Sequence, residues 1–358
     1  MSFVEQHKED LRAFVKMSHA VGRRNDYVQG GGGNTSVKMD GFMAIKASGF
    51  KLSDIEESKA YAVMACGKLK NFYVSKNPET MQDVEKEGAA FAKECILEIE
   101  GVDKLRPSVE AGFHSILDKF VIHSHSVYAN LAACSENAVE VITKALEGAA
   151  YTWGYVPYFD PGARITFAIR DEIERVTKET GKRPCVIFMQ NHGLIVHHRD
   201  ADECVKIHDD VNARIAAAFG LELGSFPNVS LCTDKDGVLV SDCPYVEQKL
   251  KEGQDESIYV DDALYPDQIV FLKDTFFVND KAPEKDTCCA SPSTGKVVFN
   301  MSAAKSQVIL ETLAAILFIR ENIVKCGGRV ATMGAAAKSF IENWESEKYR
   351  KSLSGGKA

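Results

Sequence analysis

Glu110-Ala-Gly-Phe-His114 and His123-Ser-His125 place one carboxylate and three imidazoles within sixteen residues of an otherwise apolar stretch. That grouping suits a metal ion with a base beside it. Two histidines separated by one residue project to the same side of an extended chain, because strand side chains alternate with period two. Both can then reach one ion. Catalytic zinc takes three protein ligands and keeps a fourth position for water or substrate, so a third ligand has to come from elsewhere. Asn191-His192-Gly193 is the best candidate. It separates two apolar runs, residues 185–189 and 194–196, that read as buried strands. A polar break between such runs is costly unless it finds a partner.

Not every histidine here needs a chemical role. His-x-His also occurs on strands for structural reasons, and His197 and His198, beside Arg199 and Asp200, are read that way, as exposed residues past the end of a strand. His114 follows Glu110 by about one helical turn, and such a pair can simply interact along one face. It is read as an orienting neighbour of the site rather than as a ligand.

Gln29-Gly-Gly-Gly-Gly33-Asn34-Thr35-Ser36 marks a place where the backbone turns sharply or approaches a ligand closely, since four glycines destabilise any regular element. Freed backbone amides there suit an anion. Asn34, Thr35, Ser36 and Ser48-Gly49 add neutral donors, and Lys38, Lys46 and Lys51 make the patch locally positive. A dinucleotide fingerprint fails because Thr35 and Ser36 stand where its last glycine belongs, and no Gly-Lys pair here is followed by Ser or Thr as a P-loop requires. A flexible loop without function is the alternative.

The elements that must position these groups follow from periodicity and punctuation. Residues 4–22 suit an amphipathic helix ending near Gly22, and residues 37–39 and 42–46 a hairpin turning at Asp40-Gly41. Helices are predicted over 80–100, behind Pro107-Ser108, over 127–134, over 163–180 with Gly181 as stop, and over 200–218 with Gly220 as stop. Residues 120–122 should form the strand that delivers His123 and His125. Gly, Asp, Pro and Ser accumulate over 219–265, where a junction is placed. The division is then 1–220 as the catalytic domain, 221–265 as a linker and 266–358 as a smaller α+β extension. The extension should carry short strands near 268–272, 276–278 and 297–299 and a long helix from Ala303 to about Cys326.

With 358 residues, 45% of them hydrophobic, the chain can bury a large core. A net charge of −8 argues against a general nucleic-acid surface. No apolar run approaches membrane-spanning length, and the charged start Met1–Asp10 lacks a signal-peptide core, so a cytoplasmic address is expected. The ten cysteines show no C-x-x-C pair and are expected as reduced thiols.

Five segments in order resemble the class II aldolase/adducin family: Gly33-Asn34-Thr35-Ser36, Lys46-Ala47-Ser48-Gly49, Pro107-Ser108-Val109-Glu110 with His114, His123-Ser124-His125, and Asn191-His192-Gly193-Leu194. The similarity covers residues 5–220. The tail from Asn343-Trp344 to Ser352 is similar to a longer subgroup, the aldolase half of bifunctional rhamnulose-1-phosphate aldolase/alcohol dehydrogenases, whose dehydrogenase half is not expected here. The resemblance implies an α/β fold with three α/β/α layers around a mostly antiparallel sheet, a homotetramer with sites between subunits, and zinc-dependent cleavage of a sugar phosphate to a dihydroxyacetone-phosphate-like product and a short aldehyde. Zinc could be replaced by another divalent metal. Carried over by position, His123, His125 and His192 resemble the metal ligands, Glu110 the proton-transferring carboxylate, and Asn34, Ser48, Gly49 and Ser108 the phosphate cradle. Val109 stands where many sugar-phosphate aldolases of the family have a second serine. No tyrosine clearly matches the acid that protonates the departing aldehyde; Tyr27, Tyr151 and Tyr155 are candidates by proximity. Epimerisation, decarboxylation or dehydration of a sugar acid is the alternative chemistry, and a non-enzymatic adducin-type scaffold is disfavoured by the intact histidines and glutamate.

Overall fold

A computed structural model describes residues 2–343. Eight strands form the main sheet: β1 (Asn34–Met39), β2 (Phe42–Lys46), β3 (Tyr61–Ala65), β4 (Ile96–Leu97), β5 (Phe120–Ser124), β6 (Trp153–Val156), β7 (Val186–Met189) and β8 (Gly193–His198). Their order is β4-β3-β2-β1-β5-β8-β7-β6, antiparallel throughout except for the β6/β7 edge. Alternation along the strands sends Ala44, Ile122, Phe188, Leu194 and Val196 into one core and Met43, Ile45, Val121, Ile187 and Ile195 into the other. Helices Lys8–Gly22, Val127–Ala133 and Ala201–Ala218 cover the first face, and Cys66–Ser75, Val84–Glu94, Ala111–Ile116 and Ala163–Thr180 the second. The result is three α/β/α layers.

Local chemistry explains most boundaries. Asp40 and Gly41 both adopt positive φ, 44° and 87°, which matches the twist a two-residue hairpin needs. Asp200 caps Ala201–Ala218 by accepting from the Glu203 amide, and Gly181 ends Ala163–Thr180 in the left-handed conformation. The helix predicted over 80–100 is shorter, Val84–Glu94. Asp83 caps it, and Cys95 leads into β4.

Residues 221–265 are more than a linker. They supply β9 (Ser230–Thr233) and β10 (Leu239–Asp242), which join β11 (Phe276–Val278), β12 (Cys288–Ala290) and β13 (Val297–Phe299) in a second sheet ordered β11-β12-β13-β10-β9. The Gly, Asp, Pro and Ser in that stretch mark turns between short elements. Residues 268–272, expected as a strand, belong instead to helix Pro266–Leu272. A short apolar run such as Ile-Val-Phe-Leu fits a buried helix as well as a strand, and Pro266 opens the helix at a position where no amide is needed. Helix Ala303–Lys325 is buried around most of its girth and shares the first core with the main sheet. All ten cysteines are free, and no helix among the described residues is long and apolar enough to cross a membrane. The tail from Trp344 to Ser352 lies outside the described residues.

Candidate metal centre

The site forms where β1, β5 and the β7–β8 turn end together. β1 and β5 pair with Asn34 opposite His123, and β5 pairs with β8 with His123 opposite Ile195. His125 lies just beyond β5. His192 sits in the three-residue turn between β7 and β8, after Asn191, whose φ is 50°. Asparagine tolerates that left-handed backbone better than most residues. Its Nδ2 donates to the carbonyls of Leu264 and Ala331, both at 2.8 Å, so the turn is tied to the C-terminal part of the chain. Gly193 allows β8 to pass close to the Ser124 carbonyl, which a Cβ there would strike.

His123, His125 and His192 form a buried cluster able to hold a metal ion, their ligand atoms all within 4.8 Å of one another. His123 Nδ1 faces the Leu194 carbonyl at 3.1 Å, and His125 Nδ1 faces Asp267 Oδ2 at 2.6 Å. Both partners can only accept, so both rings carry their proton on Nδ1 and turn an Nε2 lone pair inward. Those two Nε2 atoms stand 3.1 Å apart. Two nitrogens on one tetrahedral zinc, bonded at about 2.0–2.1 Å, would be roughly 3.3 Å apart. His192 Nδ1 is buried without a hydrogen-bond partner, and so is Glu110 Oε1 apart from its ion pair. Under-satisfied buried polar atoms beside three imidazoles fit a site for a cation. Burial holds His123 down to about 3, which keeps it neutral and ready to ligate.

Glu110 lies against the cluster, with Oε1 3.1 Å from His192 Nε2 and Oε2 3.4 Å from His123 Nε2. Burial alone would raise its carboxyl. Positive charge at the imidazoles, His123 first and then His192 and His125, outweighs burial and holds it well below the ordinary range; with the rings neutral, that charge would have to come from a cation they hold. Asn34 Nδ2 donates to Glu110 Oε2 at 2.6 Å and to Ser108 Oγ at 3.0 Å. Its Oδ1 is left to accept from His114 Nε2, while His114 Nδ1 meets Ser36 Oγ at 2.7 Å. His114 therefore hydrogen-bonds Asn34, not one of the three clustered histidines; it fixes Asn34, which fixes Glu110.

A small cleft that Glu110, His125 and His192 border is lined on its other side by Asn34, Lys46, Ser48, Gly49, Ser108 and Val109. The amides of Ser48 and Ser108 are spent on the carbonyls of Arg106 and Lys46. The serines therefore offer hydroxyls. Ser108 Oγ already accepts from Asn34 and from the Glu110 amide, which leaves its proton to donate. Of the three lysines of the positive patch, only Lys46 lines this cleft, its Nζ donating to the carbonyls of Gly31 and Phe50. Lys38 turns to the Asp118 carbonyl.

Several sequence expectations fail here. His197 is buried rather than exposed, because it lies within β8 and its Nδ1 meets Asp118 Oδ2 at 2.9 Å. Tyr27 and Tyr151 bond Asp209 and Asp210, away from the cleft, and Tyr155 does not line it. Asp267 was missed. Nothing local announces a carboxylate that acts 142 residues away from its partner.

Residues 12–213 match the family model of the Class II Aldolase and Adducin N-terminal domain, more than half of the chain. This chain belongs to that family. It is 24% identical over 186 residues to an L-fuculose phosphate aldolase of Methanococcus vannielii, covering 52% of this chain and 82% of the relative. A second such relative, from Methanococcus maripaludis, is 22% identical over 201 residues, 54% of this chain and 87% of the relative. Among solved structures, the N-terminal Class II Aldolase domain of a conserved Thermoplasma acidophilum protein is similar, at 22% identity and a TM-score of 0.47, over 57% of this chain and 92% of that one. Asp267 falls outside the family match.

Proposed function

We propose that this class II aldolase-family chain is a zinc-dependent aldehyde-lyase that cleaves a ketose 1-phosphate or similar sugar phosphate to a dihydroxyacetone-phosphate-like product and a short aldehyde. What carries the reading is a buried Glu110 whose carboxylate oxygens stand 3.1 Å from His192 Nε2 and 3.4 Å from His123 Nε2, at the edge of a cluster of three imidazoles and beside a small cleft with hydroxyl and ammonium donors. The two L-fuculose phosphate aldolase relatives support the substrate class. A divalent ion on His123, His125 and His192 would supply Lewis-acid stabilisation of negative charge on the substrate's oxygens; the all-imidazole donor set favours zinc.

The chain's own groups do the rest. Glu110 exchanges a proton with the carbon that becomes or ceases to be nucleophilic, and the Asn34–His114–Ser36 relay keeps its carboxylate aimed. Ser48, Gly49 and Ser108 hold the phosphate, with Asn34, whose two amide protons go to Glu110 and Ser108, orienting the Ser108 hydroxyl and Lys46 supplying positive charge nearby. We also propose a cytoplasmic homotetramer, checked by light scattering on the purified protein.

Val109 lines the cleft where another hydroxyl would strengthen the phosphate site, and this favours a second reading, epimerisation or decarboxylation of a sugar acid. Metal-loaded protein should be screened against ketose 1-phosphates, free ketoses and sugar acids. Release of dihydroxyacetone phosphate and aldehyde from a ketose 1-phosphate, abolished by chelator, is expected. Turnover of a sugar acid with no carbon–carbon cleavage of any ketose phosphate would replace the first reading with the second.

A further inference from the structure

The glycine run and the C-terminal part of the chain meet at the histidine cluster. Asp267, the second residue of helix Pro266–Leu272, is fully buried, and its Oδ2 lies 2.6 Å from His125 Nδ1. Because a carboxylate only accepts, this contact puts the His125 proton on Nδ1 and leaves Nε2 as the lone pair that faces His123. Gly32 makes room for it: a Cβ on Gly32 would come within 2.6 Å of Asp267 Oδ2 and 2.9 Å of His125 Nδ1. Any side chain there would have to displace one member of the pair.

The other glycines point the same way. The Gly30 amide donates to Glu311 Oε2 at 2.8 Å, on helix Ala303–Lys325, and a Cβ on Gly30 would strike Val308 of that helix. The Gly32 amide donates to the Gln29 carbonyl at 2.9 Å. Two of the four amides are therefore already committed, which weakens the run as an anion cradle and explains it as a docking seam. Asn191, beside His192, is held in its left-handed conformation by the carbonyls of Leu264 and Ala331. Both ligand-bearing segments thus lean on residues beyond the family match.

We propose that Asp267 is a positioning residue of the metal centre, fixing the tautomer and ring orientation of His125, and that Gly32 is glycine because that carboxylate passes over it. The metal affinity of this protein is then set in part by its C-terminal region. This rests on the three histidines being the metal site, but not on the reaction performed there.

Zinc affinity of the purified full chain, by competition with a chromophoric chelator, tests it without substrate. Asp267→Ala should weaken zinc binding about 10- to 100-fold, the range seen when a carboxylate behind a histidine ligand is removed. Asp267→Asn keeps an oxygen acceptor for Nδ1–H and should recover much of the loss; Gly32→Ala should weaken binding although it touches no ligand atom directly. In the cobalt-substituted protein the visible bands should move in Asp267→Ala and return towards wild type in Asp267→Asn, which a merely structural defect would not produce. Zinc binding within twofold of wild type in both Asp267→Ala and Gly32→Ala, while His192→Ala loses it, would overturn the inference and leave the triad standing. Undiminished binding in His192→Ala would remove both. Should Asp267→Ala fail to fold, Asp267→Asn and Gly32→Ala decide, wild-type affinity in both counting against the proposal.

Discussion

Glu110, His123, His125 and His192 come from three separate segments, yet each was legible in the sequence, because a carboxylate and imidazoles interrupting apolar runs have few inexpensive structural explanations. His197 shows the limit of that reasoning. Its charged neighbours Arg199 and Asp200 suggested exposure, whereas β8 continues through His198 and the pleat turns His197 inward to Asp118. Asp267 was illegible for a different reason: a lone aspartate after a proline reads as a helix start, and only the tertiary fold brings it to His125. The three imidazoles should hold one divalent ion per chain. Elemental analysis of His123→Ala and His192→Ala should show at least a tenfold drop from about one ion per chain, with His197→Ala retaining its metal. Undiminished metal in both ligand variants would dissolve the assignment. Asn34→Ala should leave metal in place but blunt thermal protection by inorganic phosphate, because a ligand that binds only the folded state raises stability in proportion to its occupancy. Equal protection in wild type and Asn34→Ala would remove Asn34 from the cradle.

At the level of elements, the hairpin, the strands that carry the site and the long helices of residues 1–220 could be read from periodicity, since Asp40-Gly41, Asp200, Gly181 and Gly220 punctuate them, whereas β3, β6 and the helices Cys66–Ser75 and Ala138–Ala145 went unread. In the C-terminal part the strands at Phe276–Val278 and Val297–Phe299 and the helix Ala303–Lys325 were legible, whereas β9, β10 and β12, three or four residues long, are too short to show a period. The β7–β8 turn is the element on which the site depends most. Gly193 has no room for a methyl against the Ser124 carbonyl, and both neighbouring backbones carry ligands. Gly193→Ala should therefore cost about 1–3 kcal/mol, the usual range for overpacking, and weaken metal binding as well. Urea unfolding of the metal-free protein isolates the first effect; a change under about 0.5 kcal/mol, the scale of an ordinary surface substitution, would show that the turn yields easily.

Among the described residues, the first core extends over both sheets, with helix Ala303–Lys325 packed into the face that helices Lys8–Gly22 and Ala201–Ala218 also cover. A chain ending after Gly220 should accordingly lack a cooperative thermal transition, and calorimetry showing one would establish residues 1–220 as an autonomous domain. Acid should loosen the whole molecule through its buried histidines. Burial, and after it the Arg24 charge, hold His208 down to about 3 against an ordinary 6.5. The unfolded chain therefore binds a proton that the folded one refuses, so the stability this group contributes is complete above pH 6.5 and is lost as pH falls towards 3. In metal-free protein the melting temperature should fall steadily below pH 6.5. His208→Gln should flatten that decline; an unchanged slope would place the acid sensitivity elsewhere. The central claim is that Glu110 moves a proton at a metal-assisted carbanion centre, and the exchange of dihydroxyacetone phosphate's carbon-bound hydrogen with deuterated water reads that step directly. Zinc-replete Glu110→Gln, which keeps the volume and loses the base, should exchange at least about 100-fold more slowly than wild type, whereas near-normal exchange at full zinc occupancy would contradict the account.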